Sequence, residues 1–141
     1  MLNKTNISFL TAYIELDKTC CRRFGIQSGG VSTYINKLVY ERQVPEREEI
    51  LPRLIRYRNL RNKLAHDEGA LNGITEIVKS DLKWLAAFSK TVAKKKDPLS
   101  VYEERTRVRV GGSKAGSVIM VIILALLAIA AVFALKYFGI I

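Results

Sequence analysis

One stretch of the chain gathers the residue types that handle phosphate chemistry: Arg56-Tyr57-Arg58-Asn59-Leu60-Arg61-Asn62-Lys63-Leu64-Ala65-His66. It holds the only histidine among 141 residues, and histidine is the side chain whose unperturbed pKa lets it take up and release a proton near neutral pH. Arginine is a permanent planar cation with five donors that match phosphate oxygens. A proton carrier beside guanidinium groups suits phosphodiester cleavage, and it suits phosphate binding without cleavage as well.

Helical geometry sets where these groups point. At about 100° per residue, Leu51, Leu54 and Ile55 mark the inward face of a helix. One turn further on, the same face carries Arg58, Asn62, Ala65 and His66, with Arg61 and His66 about 140° apart on its two borders. The spacing therefore predicts a core-facing stripe that turns polar. On an earlier helix Asp17 falls at the centre of the stripe made by Leu10, Tyr13, Ile14, Cys20, Cys21 and Phe24, where a carboxylate needs a partner to offset its desolvation. Arg58 or Arg61 is the expected partner, as a structural ion pair or as a guanidinium oriented toward a phosphate. His66 has a plainer reading too, as the last residue of a helix, where an imidazole meets the negative end of the dipole.

The run Arg61-Asn62-Lys63-Leu64-Ala65-His66 resembles the signature of the HEPN superfamily of helical-bundle proteins. Ribonuclease members of that superfamily carry an arginine followed about four to six residues later by a histidine, often as Arg-Asn-x-x-x-His. The order of helices is similar over about the first 95 residues, and the six-residue motif is the specific part. What the resemblance implies is a homodimer with a composite active site that cuts RNA without a metal or other cofactor, the ribose 2′-hydroxyl attacking the adjacent phosphate. His66 would be the general acid or base and Arg61 would stabilise the phosphorane charge. Asn62 would hydrogen-bond substrate or hold the imidazole, with Arg58 and Asp17 in support. A toxin or defence effector, with a regulatory protein partner, fits such an activity. The chemistry uses a proton acceptor and a proton donor while one chain offers one histidine, so two chains would supply both. The competing expectation is a catalytically silent, membrane-anchored helical module that dimerises, recruits a protein or binds RNA.

The elements that must position these residues are all helices. Apolar spacing predicts a first helix from Ile7 to Phe24, ended by Gly25 and Gln27-Ser28-Gly29-Gly30, and a second from Val31 to Glu41 with Val31, Ile35, Leu38 and Val39 inward. A third starts between Pro45 and Pro52, with Glu46, Glu48 and Glu49 suiting a helix N-terminus, and runs to about His66. After Asp67-Glu68-Gly69 and an Asn72-Gly73 turn, Ser80 is the expected N-cap of a fourth helix, which points Leu82, Leu85, Phe88 and Val92 inward. Trp84, on the same helix, reads as a core or interface residue. The fold class expected is all-α, a four-helix-bundle-like domain over residues 1–98 plus a C-terminal transmembrane helix.

Residues 99–116 read as a polar, basic linker after the Asp97-Pro98 stop, and residues 117–137 as the transmembrane helix. From Val118 to Leu135 there is no charge, proline or glycine, and thirteen of the eighteen residues are large apolar types. Together they favour insertion by about 4 to 8 kcal/mol. Arg105, Arg107, Arg109 and Lys114 precede the span and only Lys136 follows it, which predicts a cytoplasmic N-terminal domain. No secretory signal is expected at Met1 to Asn6. With a net charge of +10 the chain has cationic surface to place. Lys94-Lys95-Lys96 and the segment from Arg105 to Lys114 suit anionic lipid headgroups better than a phosphate backbone, because they lie beside the span. Adjacent Cys20 and Cys21 lack metal or redox spacing and read as reduced core residues. Other enzyme classes find little support, with no P-loop, no dinucleotide fingerprint, no Ser-His-Asp arrangement beyond the single His66 and no metal ligands at recognised spacing.

Overall fold

Asn3 begins the first helix by accepting the backbone N–H of Thr5 on its side-chain oxygen at 3.0 Å, the N-cap bond that satisfies a first-turn donor. In the computed structural model, which describes residues 3–66, 69–73, 76–111 and 114–139, α1 then runs Lys4–Phe24. Its start lies earlier than the apolar pattern alone suggested, because the cap and not the first hydrophobic residue sets it. Gly25 ends it in the left-handed region (φ 66°), a conformation that costs glycine little. Phe9, Tyr13, Leu16 and Cys20 form the buried stripe, whereas Ile14 is 40% exposed. The stripe is thus rotated from the one expected.

The second helix, α2 (Gly30–Tyr40), packs closely on α1. A Cβ at Gly30 would sit 2.6 Å from the Cys21 nitrogen and 2.8 Å from the Cys20 Cβ, so only glycine allows this approach. Val31, Tyr34, Ile35 and Leu38 are buried, while Val39, expected inward, is exposed. At the far end Arg47 Nε donates to the Leu38 carbonyl at 2.6 Å, which satisfies one of the acceptors a helix end leaves open.

Helix α3 (Arg47–His66) carries Glu48 and Glu49 in its first turn and accommodates Pro52 within it. Its buried residues are Ile50, Leu54, Tyr57, Leu60 and Leu64, an apolar stripe that stays unbroken to the last turn. The expected polar interruption of the core is therefore corrected. Leu51 and Ile55 are only partly buried, and the face continued through Arg58, Asn62, Ala65 and His66 is the helix flank, where Asn62, Ala65 and His66 are exposed. Tyr57, which stands between Arg56 and Arg58 in the sequence, is fully buried.

A short helix, α4 (Ala70–Gly73), stands where a turn was expected. Helix α5 (Lys79–Ala93) begins after Val78 and not at Ser80. Asp81, in its first turn, reaches back to accept the Val78 N–H at 3.1 Å. Leu85, Phe88 and Val92 are buried as expected. Trp84 stacks on Phe88 at 4.6 Å and meets Tyr57 at 5.6 Å. Tyr57 in turn contacts Phe9 edge-on and Phe88 contacts Tyr34 edge-on, so one aromatic chain links α1, α2, α3 and α5.

The linker expected over residues 99–116 is corrected where it is described: Pro98–Gly111 is helix α6. Asp97 starts it, taking the Ser100 N–H at 3.2 Å and the Ser100 hydroxyl at 2.6 Å, with Pro98 at the first helical position. Leu99 is fully buried, which holds this turn on the bundle, so the compact unit extends to Glu104 and not to residue 98. Among the described residues every regular element is a helix, and the fold class is all-α. The second unit, from Arg105 onward, contains α7 (Lys114–Tyr137). Its segment Met120–Tyr137 has mean hydropathy 2.5 and no buried residue. At 1.5 Å per residue α7 is about 36 Å long, so it is long and apolar enough to cross a membrane.

Candidate functional site

Five arginines lie along α3, and their partners divide them. Arg47 bonds the Leu38 carbonyl and Glu48. Arg53 faces Glu49 at 3.8 Å and lies over the Trp84 ring. Arg56 donates to Asp81 at 3.1 Å and to the Glu76 carbonyl at 2.9 Å. Arg58 and Arg61 point elsewhere. Both line a cavity of about 350 Å³ between α1, the start of α2 and α3, together with Asn62 and Asp17. Arg61 Nη1 donates to the Asn62 side-chain oxygen at 3.2 Å, and Arg58 has no hydrogen-bond or ion-pair partner among the described residues.

Four of the five residues singled out from sequence, Asp17, Arg58, Arg61 and Asn62, therefore meet around one cavity. His66 is exposed at the end of α3 and does not line it. The offset follows from the helix itself, since five residues advance the chain about 7.5 Å and turn it well past a quarter circle.

Asp17 does not pair with Arg58 or Arg61. Its Oδ1 accepts the backbone N–H of Val31 at 2.9 Å, and the Cys21 thiol lies 3.9 Å from Oδ2. The expected ion pair is corrected for a simple reason: Gly30 draws the start of α2 against α1, so the first-turn N–H of α2 reaches the carboxylate. Nearby, burial and then the Asp17 charge push the Tyr13 phenol up to about 12, so it stays a neutral hydroxyl at physiological pH. Burial, followed by the Asp17 charge, likewise raises the Cys20 thiol to about 12, which leaves it protonated and unreactive.

Two carboxylates that the sequence reading passed over hold the frame. Asp97, fully buried, accepts Arg23 Nη1 at 2.9 Å and the Tyr34 hydroxyl at 2.7 Å in addition to Ser100. Arg23, itself 8% exposed, also bonds Glu103 at 3.0 Å. Burial, with the charge and hydrogen bond of Asp97, raises the Tyr34 phenol far above its ordinary range. The available signal was Asp97-Pro98-x-Ser100, which is a helix start as well as a stop. Asp81 accepts the Tyr57 hydroxyl at 2.8 Å and Arg56. Its burial alone would raise the carboxyl pKa, but the bonds from Val78, Tyr57 and Arg56 outweigh it and lower the value. In both clusters the carboxylate is bonded by donors from other elements of the fold, so each acts as a structural tie between helices.

Among the described residues no group of three histidine, cysteine, aspartate or glutamate side chains is placed to hold a metal ion. No curated protein and no solved structure matches the chain. A match to a protein family covers residues 7–117, from the first turns of α1 through the cavity and both carboxylate clusters into α7. The family is described as a family of unknown function, DUF6548, and the chain belongs to it.

Proposed function

We propose that this chain is a membrane-tethered, HEPN-like endoribonuclease that acts as a homodimer without metal. The observation that carries the proposal is the placement of the motif pair. His66 is exposed, and Arg61, also reached by solvent, opens onto a basic cavity. Neither is sealed in the core, as purely structural glue would be.

In the proposed reaction one His66 takes the proton of a ribose 2′-hydroxyl as the oxygen attacks the adjacent phosphorus. Arg61 neutralises the charge that builds on the phosphorane oxygens. The bond to the 5′-oxygen breaks and a second His66, from the other protomer, delivers a proton to it. The products are a 2′,3′-cyclic phosphate and a 5′-hydroxyl end. The helix α7 inserts in the bilayer, and the excess of arginine and lysine on its N-terminal side keeps the bundle in the cytoplasm.

A second reading has its own observation. Within one chain His66 lies outside the cavity that collects Arg58, Arg61 and Asn62, which suits an RNA-binding module without catalysis. The full-length protein in lipid nanodiscs, incubated with labelled RNA in excess chelator beside His66→Ala, separates the two. The nuclease reading predicts cleavage by the wild type and none by the variant. Binding of RNA without cleavage supports the silent module.

A further inference from the structure

We infer that the cavity between α1, α2 and α3 is a phosphate subsite, with Arg58 as its principal ligand and an RNA phosphate other than the scissile one as its occupant. The inference rests on the RNA reading above, and it assigns a role to Arg58, a residue outside the Arg-Asn-x-x-x-His run.

The contrast among the α3 arginines comes first. Arg47, Arg53 and Arg56 each have a carboxylate or carbonyl on the protein. Arg58 is partly buried and has no hydrogen-bond or ion-pair partner among the described residues. Its donors face a concave space of about 350 Å³, toward the small end of the range of ligand pockets, about 300 to 1,000 Å³. A guanidinium in a half-dry concavity with no carboxylate bonded to it is the arrangement in which a phosphate oxygen adds the most charge-assisted bonding.

The rest of the lining has the same preference. Arg61 adds a second positive charge against the single carboxylate of Asp17, Lys18 lines the cavity while facing Glu15 at 3.8 Å, and Ser28, before α2, and Ser32, in its first turn, bring hydroxyl donors. The Tyr13 hydroxyl, neutral at physiological pH, adds no charge of its own. One oxygen of Asp17 is taken by the Val31 N–H, and its charge works against an incoming anion. The Asp17 charge therefore gives the test its sign: its removal with the Val31 bond kept strengthens phosphate binding.

His66 lies just over two helical turns, about 12 Å, beyond Arg58 along α3 and outside the cavity. A phosphate held here is consequently displaced from the bond that His66 serves, and Arg61, between the two, is shared by both. Single-stranded RNA can bend its backbone into such a concavity, which a rigid A-form duplex does not.

The experiment uses the full-length protein in phosphatidylcholine nanodiscs and a short RNA whose 2′-hydroxyls are methylated, so that binding is read without cleavage. Affinity is measured for the wild type, Arg58→Ala, Arg58→Lys and Asp17→Asn, with helicity checked for each. Expected are a loss of about tenfold or more for Arg58→Ala, partial recovery for Arg58→Lys, and a severalfold gain for Asp17→Asn. Inorganic phosphate should compete with the RNA in the wild type and lose that ability in Arg58→Ala. Unchanged RNA affinity in a folded Arg58→Ala, or weaker binding in a folded Asp17→Asn, overturns the inference. Arg58-dependent binding of inorganic phosphate with no RNA binding keeps the anion site and removes RNA as its occupant. Arg58-dependent binding seen only when phosphatidylglycerol is added to the disc assigns the site to a lipid headgroup instead and overturns the RNA assignment.

Discussion

The carboxylate of Asp17 accepts the backbone N–H of Val31 at 2.9 Å, and this bond ties the middle of α1 to the first turn of α2. It acts as a helix cap delivered from a neighbouring helix. Asp17→Ala should lower stability by about 1 kcal/mol, the usual value of such a cap, whereas Asp17→Asn, which retains an acceptor, should stay within about 0.5 kcal/mol of wild type. Urea titration followed by circular dichroism measures both. Equal losses for the two variants would mean that the charge and not the cap matters.

The pair formed by Arg23 and Asp97 has exposures of 8% and 0%, so breaking it leaves a buried charge. Asp97→Ala should cost about 3 to 5 kcal/mol. Truncation after residue 98 should also destabilise the bundle, because it removes fully buried Leu99 and the Ser100 bonds to Asp97. Thermal unfolding of the two variants tests this. A truncated domain as stable as the full chain contradicts the assignment of α6 to the folded unit.

Acid should act partly through Asp81. Its folded pKa is depressed, so its contribution is fully present above its unfolded pKa, near 3.9, and is lost as pH falls through the lower folded value. Asp81→Asn should be less stable than wild type at pH 7, and the difference should shrink below about pH 4. Melting temperatures of both proteins between pH 7 and pH 2.5 give the comparison. A gap that stays constant across that range excludes this linkage.

For the membrane, Leu124→Arg with Leu127→Arg should oppose insertion of α7 by about 5 to 7 kcal/mol, using the translocon values for a helix centre. That is comparable with the whole apolar contribution of the span, and the doubly substituted protein should shift from the carbonate-resistant membrane fraction to the soluble one. Protease added to the cytoplasmic side of sealed vesicles should digest the bundle. Protection from that side would reverse the orientation.

The order of helices and the inward Leu85, Phe88 and Val92 were legible in the sequence, because helical periodicity reports directly on burial. The phase of a stripe was less legible. In α3 Leu51, Leu54 and Ile55 suggested one face, but the helix is turned so that Ile50, Tyr57, Leu60 and Leu64 face the core. A tyrosine between two arginines gives little hint that it is fully buried. Arg58, Arg61 and Asn62 do share a cavity, since spacing on one helix is local information, and Asp17 joins them there from α1. The partner of Asp17 was not legible, because it depends on a backbone N–H delivered by the close approach at Gly30. The buried Asp97 was missed for a different reason: Asp-Pro marks a helix end and a helix beginning equally well, and only packing of Leu99 decides between them.

The most direct test dilutes wild-type protein with His66→Ala at constant total concentration, allows the chains to exchange, and follows cleavage of labelled RNA in excess chelator with the new ends identified. A composite site that draws one histidine from each protomer predicts 2′,3′-cyclic phosphate ends and activity that falls as the square of the wild-type fraction. Absence of cleavage by the undiluted wild type, or activity that falls in direct proportion to its fraction, contradicts the account.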